Sequence, residues 1–509
     1  MKKITCVLSL VLLTGVLASC SNGGGGANGG NADSEYLIAP KMTELTLFAV
    51  TDTKIDDTPV WQKISELTNI KIKTVSSSSN SDADTALNVM LMSGEIPDLI
   101  FSNKMKTFAN EYGPEGAFAR IDELLSDKTP SLKKVIDRPE IKSFISNYDG
   151  HMYYMCGVNP DTVAAGWFIR QDWLDKLGLK APTNPEEFYQ VLKAFRENDP
   201  NGNGSKDETP YLSRFGTIDD LTFIFNATPE WNMENDKVFY GPARPEFKTA
   251  YINMAKWYDE GLIDKEIYTR GAKSRDKLFG DNVGGVIHDW FGSTTQFNDI
   301  LKEDIPGFKL VAFAPPNEGN KEYTRRDVAI AQGVAIGENS ENKEYAIGLL
   351  DFLFSEKGGL FMNFGIEGEQ YDMIDGEPIF KDYVIHGDKT AINILNEAGA
   401  CGLAYEQDFR YEEQWINDEA REGIDLYINN NMLVPKFPPV SYTEEEFSRL
   451  NEIMTNIDTY RSEICQQWIF GSKDVESTFD AYVDEMYKMG LKEAEEIQQA
   501  AYDRYMKMK

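Results

Sequence analysis

Between Glu44 and Phe101 the hydrophobic period changes from that of a strand to that of a helix and back, and this alternation limits the fold more than any other stretch. Glu44-Leu-Thr-Leu-Phe-Ala-Val50 alternates and then turns apolar, as a strand entering a core does. Pro59 opens a helix whose Val60, Trp61, Ile64 and Leu67 recur on one face, and Ile70-Lys-Ile-Lys-Thr-Val75 alternates again. After a polar loop at 76–81, a second helix over Asp84–Ser93 carries Ala86, Leu87, Met90 and Leu91, and a strand restarts across Gly94–Phe101. Strand, helix and strand joined this closely cross right-handedly into a parallel sheet. The expectation is an open α/β sheet whose ligands lie beyond the carboxyl ends of its strands.

A second feature is local and chemical. Asp199-Pro-Asn201-Gly-Asn203-Gly-Ser205-Lys-Asp207-Glu208 places oxygen-bearing side chains on alternate positions around two glycines. Calcium takes six to eight oxygen ligands, so a short loop must turn sharply to supply them; Gly202 and Gly204 permit the positive φ required. Asp199, Asn201 and Asn203 match positions 1, 3 and 5 of an EF-hand loop, Gly204 matches position 6, and Ser205 offers its carbonyl at 7. The bidentate glutamate expected at 12 is replaced by Pro210, so the loop reads as a calcium site closed early by Glu208. A solvated turn uses the same residue types, but six candidate ligands in ten residues exceed what a turn needs.

The helix before this loop has clear ends. Asn184 caps it, Pro185 takes its first position, and Phe188, Val191, Leu192 and Phe195 form its apolar face. Upstream, Asp172 is the expected N-cap of Trp173–Leu177, with Gly178 just beyond its end. Near the C-terminus Thr443 and Glu446 have the spacing of a capping box, and helices continue to Lys509.

Residues 1–19 read as a lipoprotein signal peptide. Lys2 and Lys3 precede an apolar run at Val7–Leu17, and Leu17-Ala-Ser-Cys20 has lipobox form. Cleavage leaves Cys20 to carry a lipid, and residues 20–43, which open on a Gly/Asn-rich run, form the tether. This places the protein at the bacterial cell membrane, anchored on its extracellular face. Cys156, Cys401 and Cys465 then remain, too few and too widely spaced for a disulfide framework. The net charge of −32 argues against nucleic acid and membrane-surface partners. Three scattered histidines leave little for His-based catalysis or metal binding.

Phe168-Ile-Arg-Gln-Asp-Trp-Leu-Asp-Lys-Leu-Gly-Leu-Lys-Ala-Pro-Thr183, Glu187–Phe195 and the following loop resemble the extracellular solute-binding proteins of carbohydrate ABC importers. Within that family the resemblance is to the large lipoprotein branch that includes the alginate-binding proteins. Tyr258–Asp264, Val286–Trp290, Leu349–Gly358, Gly365–Tyr371, Phe470-Gly471 and Met489-Gly490 follow in the family's order. The resemblance implies an α/β, two-lobed periplasmic-binding-protein fold, type II-like with discontinuous lobes and a helical C-terminal extension. Residues 44–150 with about 310–342 would form the first lobe, and 151–309 with about 343–509 the second, which carries the loop. It also implies structural calcium held by Asp199, Asn201, Asn203, the Ser205 carbonyl, Asp207 and Glu208.

The implied function is capture of an oligosaccharide between the lobes and its delivery to ABC permease subunits, by a monomer that performs no chemistry. Sugars stack on aromatic rings and are read by a few converging polar groups. Trp290, at the end of the apolar strand Val283–Ile287, is the first candidate ligand residue, followed by Trp415, Tyr405 and Trp167, with Asp289 and Arg170 as polar candidates. No run of basic residues marks a site for an acidic glycan, so a neutral oligosaccharide is expected. An oligopeptide-binding lipoprotein and a secreted polysaccharide-active enzyme are the alternatives; no carboxylate pair stands out by motif for the second.

Overall fold

The computed structural model describes residues 36–49, 55–75, 83–214, 216–271 and 273–509. The signal segment and Cys20 lie outside the described residues. β1 (Thr43–Phe48), β2 (Ile70–Thr74) and β3 (Leu99–Ser102) form the expected start, with β1 parallel to both neighbours. The helices Pro59–Thr68 and Ala83–Ser93 lie between them in sequence. The period-two pattern is realised residue by residue: Leu45 and Leu47 of β1, and Ile70 and Ile72 of β2, are buried while Lys71 and Lys73 are exposed.

β4 (Tyr154–Val158) joins the same sheet from much later in the chain. The chain then enters a second sheet with β5 (Ala165–Arg170) and β6 (Thr209–Tyr211), adds the hairpin β7 (Trp231–Glu234) and β8 (Lys237–Tyr240), and continues through β9 (Gly284–Trp290) and β10 (Leu310–Phe313). β11 (Ala329–Ile336) returns to the first sheet, antiparallel to both β3 and β4. A last hairpin, β12 (Tyr371–Ile374) and β13 (Glu377–Phe380), follows. The first sheet has the order β2-β1-β3-β11-β4 and the second β10-β5-β9-β6.

Each sheet has its own core. Residues 39–158, 329–404 and Tyr411 supply the first; 163–313 and 416–494 supply the core around the second. The chain therefore passes between cores three times, near 159–163, 314–328 and 411–416. This is the two-lobed α/β arrangement expected, with different boundaries. The first lobe extends to β4 instead of ending at Gly150, because β4 needs β11 as its ladder partner. Leu310–Phe313, assigned by sequence to the first lobe, is an edge strand of the second sheet. Residues 343–404, assigned to the second lobe, pack on the first: Ala346, Leu349, Leu350, Leu353 and Phe364 are buried there. Only the part of the extension beyond about 416 covers the second sheet.

Local signals hold where the groups that satisfy them are close in sequence. Asn184 accepts a hydrogen bond from the Glu187 amide at 3.0 Å, and Phe188, Val191, Leu192 and Phe195 are all buried. Thr443 and Glu446 close a capping box on the helix Glu444–Ile469. Gly178 takes the left-handed conformation (φ 67°) that ends Gln171–Leu177. Asp172 is not the cap of that helix; its carboxylate pairs with Arg170 at 2.7 Å. The three thiols are free, with Cys156 and Cys465 buried. Among the described residues no helix is long and apolar enough to cross a membrane.

Candidate functional site

Two adjoining cavities lie where the chain passes between the cores. The larger, about 1070 Å³, is walled on the first-lobe side by Lys106, Arg138 and Phe144 and on the other by the proline-rich segment 435–439 and Tyr502. The smaller, about 390 Å³, holds Trp290 and Trp415 with Arg214, Gln407 and Tyr411. Asn159 and Arg326 line both.

Trp290 is the last residue of β9, paired in register with Ala165. At that end of the ladder its indole escapes the layers that cover the sheet, and it stays 41% exposed although Val286 and Ile287 of the same strand are fully buried. The Arg326 guanidinium stands 5.6 Å from the Trp290 ring and is fixed from behind by Glu412 at 2.8 Å. Arg326 is only 6% exposed and its Nε has no hydrogen-bond partner. Trp415 touches both cores and approaches Gly292 so closely that a Cβ there would lie 3.0 Å from its ring. Its Nε1 is likewise unpartnered. An aromatic surface flanked by hydrogen-bond donors suits a solute with apolar C–H faces and many hydroxyls.

Asp289 is adjacent but faces inward. Its carboxylate is covered, receives Nη1 of Arg275 at 2.7 Å and the Trp290 amide at 2.8 Å, and lies 3.5 Å from Arg214. It therefore holds Arg214 and the strand end in place instead of facing the cavity. Next to it His288 is buried between Glu322 (3.2 Å) and Asp220 (3.5 Å). Burial opposes charge on the imidazole, but the two carboxylates outweigh it and raise the group to about 10. The resulting imidazolium ties β9 to the crossing segment at Glu322.

Three other sequence candidates do not reach the cavities. Trp167 is fully buried in β5, 4.9 Å from the His288 ring and 5.6 Å from Phe188. Both faces of β5 are covered, so only a strand end can present a side chain to the cleft. Arg170 is 1% exposed, bound to Asp172 and Asn282 and flanked by the Trp173 and Phe308 rings at 4.5 and 4.3 Å. Its role is packing. Tyr405 is half-buried against the first core; its carbonyl accepts from the Val158 amide, and the next residues, Glu406 and Gln407, line the cavities instead. Conversely, Lys106, Arg138, Arg214 and Arg326 escape sequence reasoning because no motif joins them.

The loop at 199–208 lies at the end of Pro185–Glu197. Asp199, at φ 48°, accepts amides of Gly202, Asn203 and Gly204 within 3.0 Å, and the Asn203 side chain accepts that of Ser205 at 2.7 Å. Both Asn201 and Asn203 turn their amide groups to Asp207, at 3.2 and 3.1 Å. Glu208 is 1% exposed and neither carboxylate oxygen has a hydrogen-bond partner. Burial raises its pKa; the nearby backbone amides of Glu208 and Asn201 offset part of this and the charges of Asp207 and Asp199 add to it. A buried carboxylate whose oxygens make no well-formed hydrogen bond is what a bound cation would satisfy. No group of three or more His, Cys, Asp or Glu side chains stands at metal-binding geometry among the described residues; the loop's donors are mixed carboxylates, amides and carbonyls.

Comparison with known proteins agrees with this arrangement. Residues 52–360 match the model of the bacterial extracellular solute-binding proteins. The chain is 25% identical over 457 residues to the fructooligosaccharide ABC transporter substrate-binding protein FusA of Streptococcus pneumoniae, covering 84% of this chain and 83% of that one. It is 22% identical to the polygalacturonan/rhamnogalacturonan-binding protein YtcQ of Bacillus subtilis, covering 96% of both. Among solved structures, alginate-binding protein AlgQ2 without calcium ion superposes with a TM-score of 0.79 at 35% identity, over 92% of this chain and 99% of that one. The chain belongs to the bacterial extracellular solute-binding protein family.

Proposed function

We propose that this protein captures an oligosaccharide in the cleft between its two lobes and hands it to the membrane subunits of an ABC importer. The observation that carries this reading is the open Trp290 indole, held beside Arg326 and lining with Trp415 one cavity at the chain crossings. Stacking on the rings supplies affinity, while Asn159, Arg326 and Gln407 read hydroxyls. Because these polar residues sit on or beside crossing segments, rotation of one lobe about those segments closes the site and excludes water. FusA and YtcQ bind oligo- and polysaccharides by name, in keeping with this reading, and the protein itself performs no chemistry.

Asp199, Asn201, Asn203, the Ser205 carbonyl, Asp207 and Glu208 hold a structural calcium ion. Calcium would neutralise three carboxylates and satisfy the orphaned Glu208 oxygens. The solved structure of AlgQ2 is one without calcium ion and one of FusA is an EF-hand mutant, both in keeping with this reading. Cys20 carries the lipid that retains the protein, as a monomer, on the extracellular face of the membrane.

Differential scanning fluorimetry over an oligosaccharide panel tests the assignment. A stabilising shift with at least one glycan is expected. No shift with any glycan, alongside a shift with oligopeptides, would establish the peptide-binding alternative; release of shortened products from an incubated glycan would establish an enzyme.

A further inference from the structure

Outside the three crossing segments the lobes meet at a pair of stacked rings. Tyr148, between the first-core residues Ile145 and Met152, lies against Phe447 of the helix Glu444–Ile469, which enters the second core through Leu450, Ile453 and Ile457. The ring centroids are 5.7 Å apart with 28° between the planes, and both side chains are half-buried. Among the described residues no helix or strand of one lobe packs along an element of the other, so the stack is not a by-product of a broad interface.

Each ring stands on an anchored support. Tyr148 sits in the turn 147–150, where its amide donates to the Asn147 side chain at 2.7 Å and the Gly150 amide donates to the Asn147 carbonyl at 3.0 Å. Asn147 is itself buried, and its side-chain amide donates to the Ala109 carbonyl at 3.2 Å. Phe447 directly follows the Thr443–Glu446 capping box, and Arg504 of the last helix, Leu491–Met506, holds Glu446 at 2.9 Å. With both supports tied into their own lobes, the rings part only when the lobes do.

Carboxylates act across the same gap. Burial and then the Glu444 charge raise the Tyr148 phenol, and burial and then the Glu140 charge raise that of Tyr505; in each case the carboxylate belongs to the opposite lobe. Glu140 and Tyr505 line the larger cavity, whereas Tyr148 and Phe447 line neither cavity. The stack therefore forms whatever the cavities hold, and it biases the angle between the lobes without a ligand. A stacked aromatic pair shifts a two-state equilibrium by about two- to twelvefold.

We propose that Tyr148 and Phe447 form a clasp that holds the empty protein at its present inter-lobe angle, and that parting these rings is the step that opens the cleft to a ligand. This rests on capture between two moving lobes and is independent of the chemistry of the ligand.

The test is pulsed electron–electron resonance on the full chain without ligand. Spin labels are carried by p-acetylphenylalanine introduced at Lys134 in the first lobe and Glu463 in the second, both exposed, so that the native thiols stay unlabelled. The parent should show one dominant distance. Tyr148→Ala or Phe447→Ala should each raise the ratio of long to short distances about two- to twelvefold, and the two together no further than either alone, because both delete one contact. Tyr148→Phe keeps the ring and should keep the parent's distribution. Distributions unchanged in both alanine variants, effects that multiply in the double variant, or a Tyr148→Phe protein as open as Tyr148→Ala would overturn the clasp. Circular dichroism on the same samples separates movement of the lobes from loss of fold, and Phe447→Ala decides alone if Tyr148→Ala does not fold. The glycan panel decides the sugar assignment separately, since no ligand enters this measurement.

Discussion

Replacing Trp290 by alanine isolates the aromatic contribution to the cleft. A tryptophan side chain has roughly 250 Å² to bury, and 41% of this one is accessible, leaving about 100 Å² for a ligand. Full coverage at about 25 cal/mol per Å² corresponds to about 2.5 kcal/mol, and coverage of half of it to about 1.2 kcal/mol. Affinity should therefore fall between about eightfold and seventyfold. The fold should hardly notice, because the Trp290 amide keeps its bond to Asp289 and the strand beneath is unchanged. Calorimetry with the best glycan from the panel, paired with a melting curve, separates the two effects. An affinity within twofold of the parent protein, with the fold intact, would refute stacking on this ring and move the site elsewhere.

Three further outcomes follow from the same contacts. Trp167→Ala, one layer behind the cleft, should cost about 3–5 kcal/mol of stability as a core cavity, read as a large drop in Tm; a small drop would contradict its placement in the core. Calcium at 10 mM should stabilise the protein by about 1.4–2.7 kcal/mol for a Kd of about 10⁻³–10⁻⁴ M, and EGTA should reverse it. The gain should shrink as pH falls through the raised Glu208 pKa, because protons compete for the same oxygens. Glu208→Gln should melt no lower than the parent without calcium and respond less to calcium; an unchanged calcium response would remove Glu208 from the site. The His288–Glu322 pair works in the opposite direction. Its folded pKa of about 10 exceeds the ordinary 6.5, so its contribution is complete below about 6.5 and is lost as pH rises toward 10. His288→Ala should cost about 3–5 kcal/mol near neutrality by stranding Glu322, and should flatten the alkaline fall in Tm; an unaltered alkaline limb would show that another group controls it.

What the sequence discloses here depends on how far apart the cooperating residues lie. The first β-α-β unit, the Asn184 cap and the 199–208 loop are complete within short segments, and each stands where its residues predict. The open position of Trp290 at a strand end is also legible, because two glycines and an apolar strand lead directly to it. Trp167 resembles it in sequence, yet β5 is covered on both faces by segments distant in the chain, which no local pattern records. Arg170 fails as a ligand residue for the same reason, since the Asn282 and Phe308 contacts that bury it come from beyond the 199–208 loop. The lobe boundaries differ from those expected because β4 finds its ladder partner in β11, which returns from much later in the chain to lie between β3 and β4, so the end of the lobe is not marked locally.

The residues of the cleft share a structural property that bears on closure. Asn159, Arg326 and Gln407 lie beside or within the three segments where the chain passes between cores, and Gln407 and Val158 are joined by a backbone hydrogen bond of 2.7 Å. Arg326 is bound to Glu412 on the third crossing and sits over the Trp290 ring from the second lobe. On the proposed reading, a ligand that stacks on Trp290 touches groups on both sides of the chain crossings, so its binding would depend on the angle between the sheets. Affinity and closure would then be one equilibrium: a sugar that reaches only the aromatic end would gain less from closing the cleft than one that also meets the crossing segments.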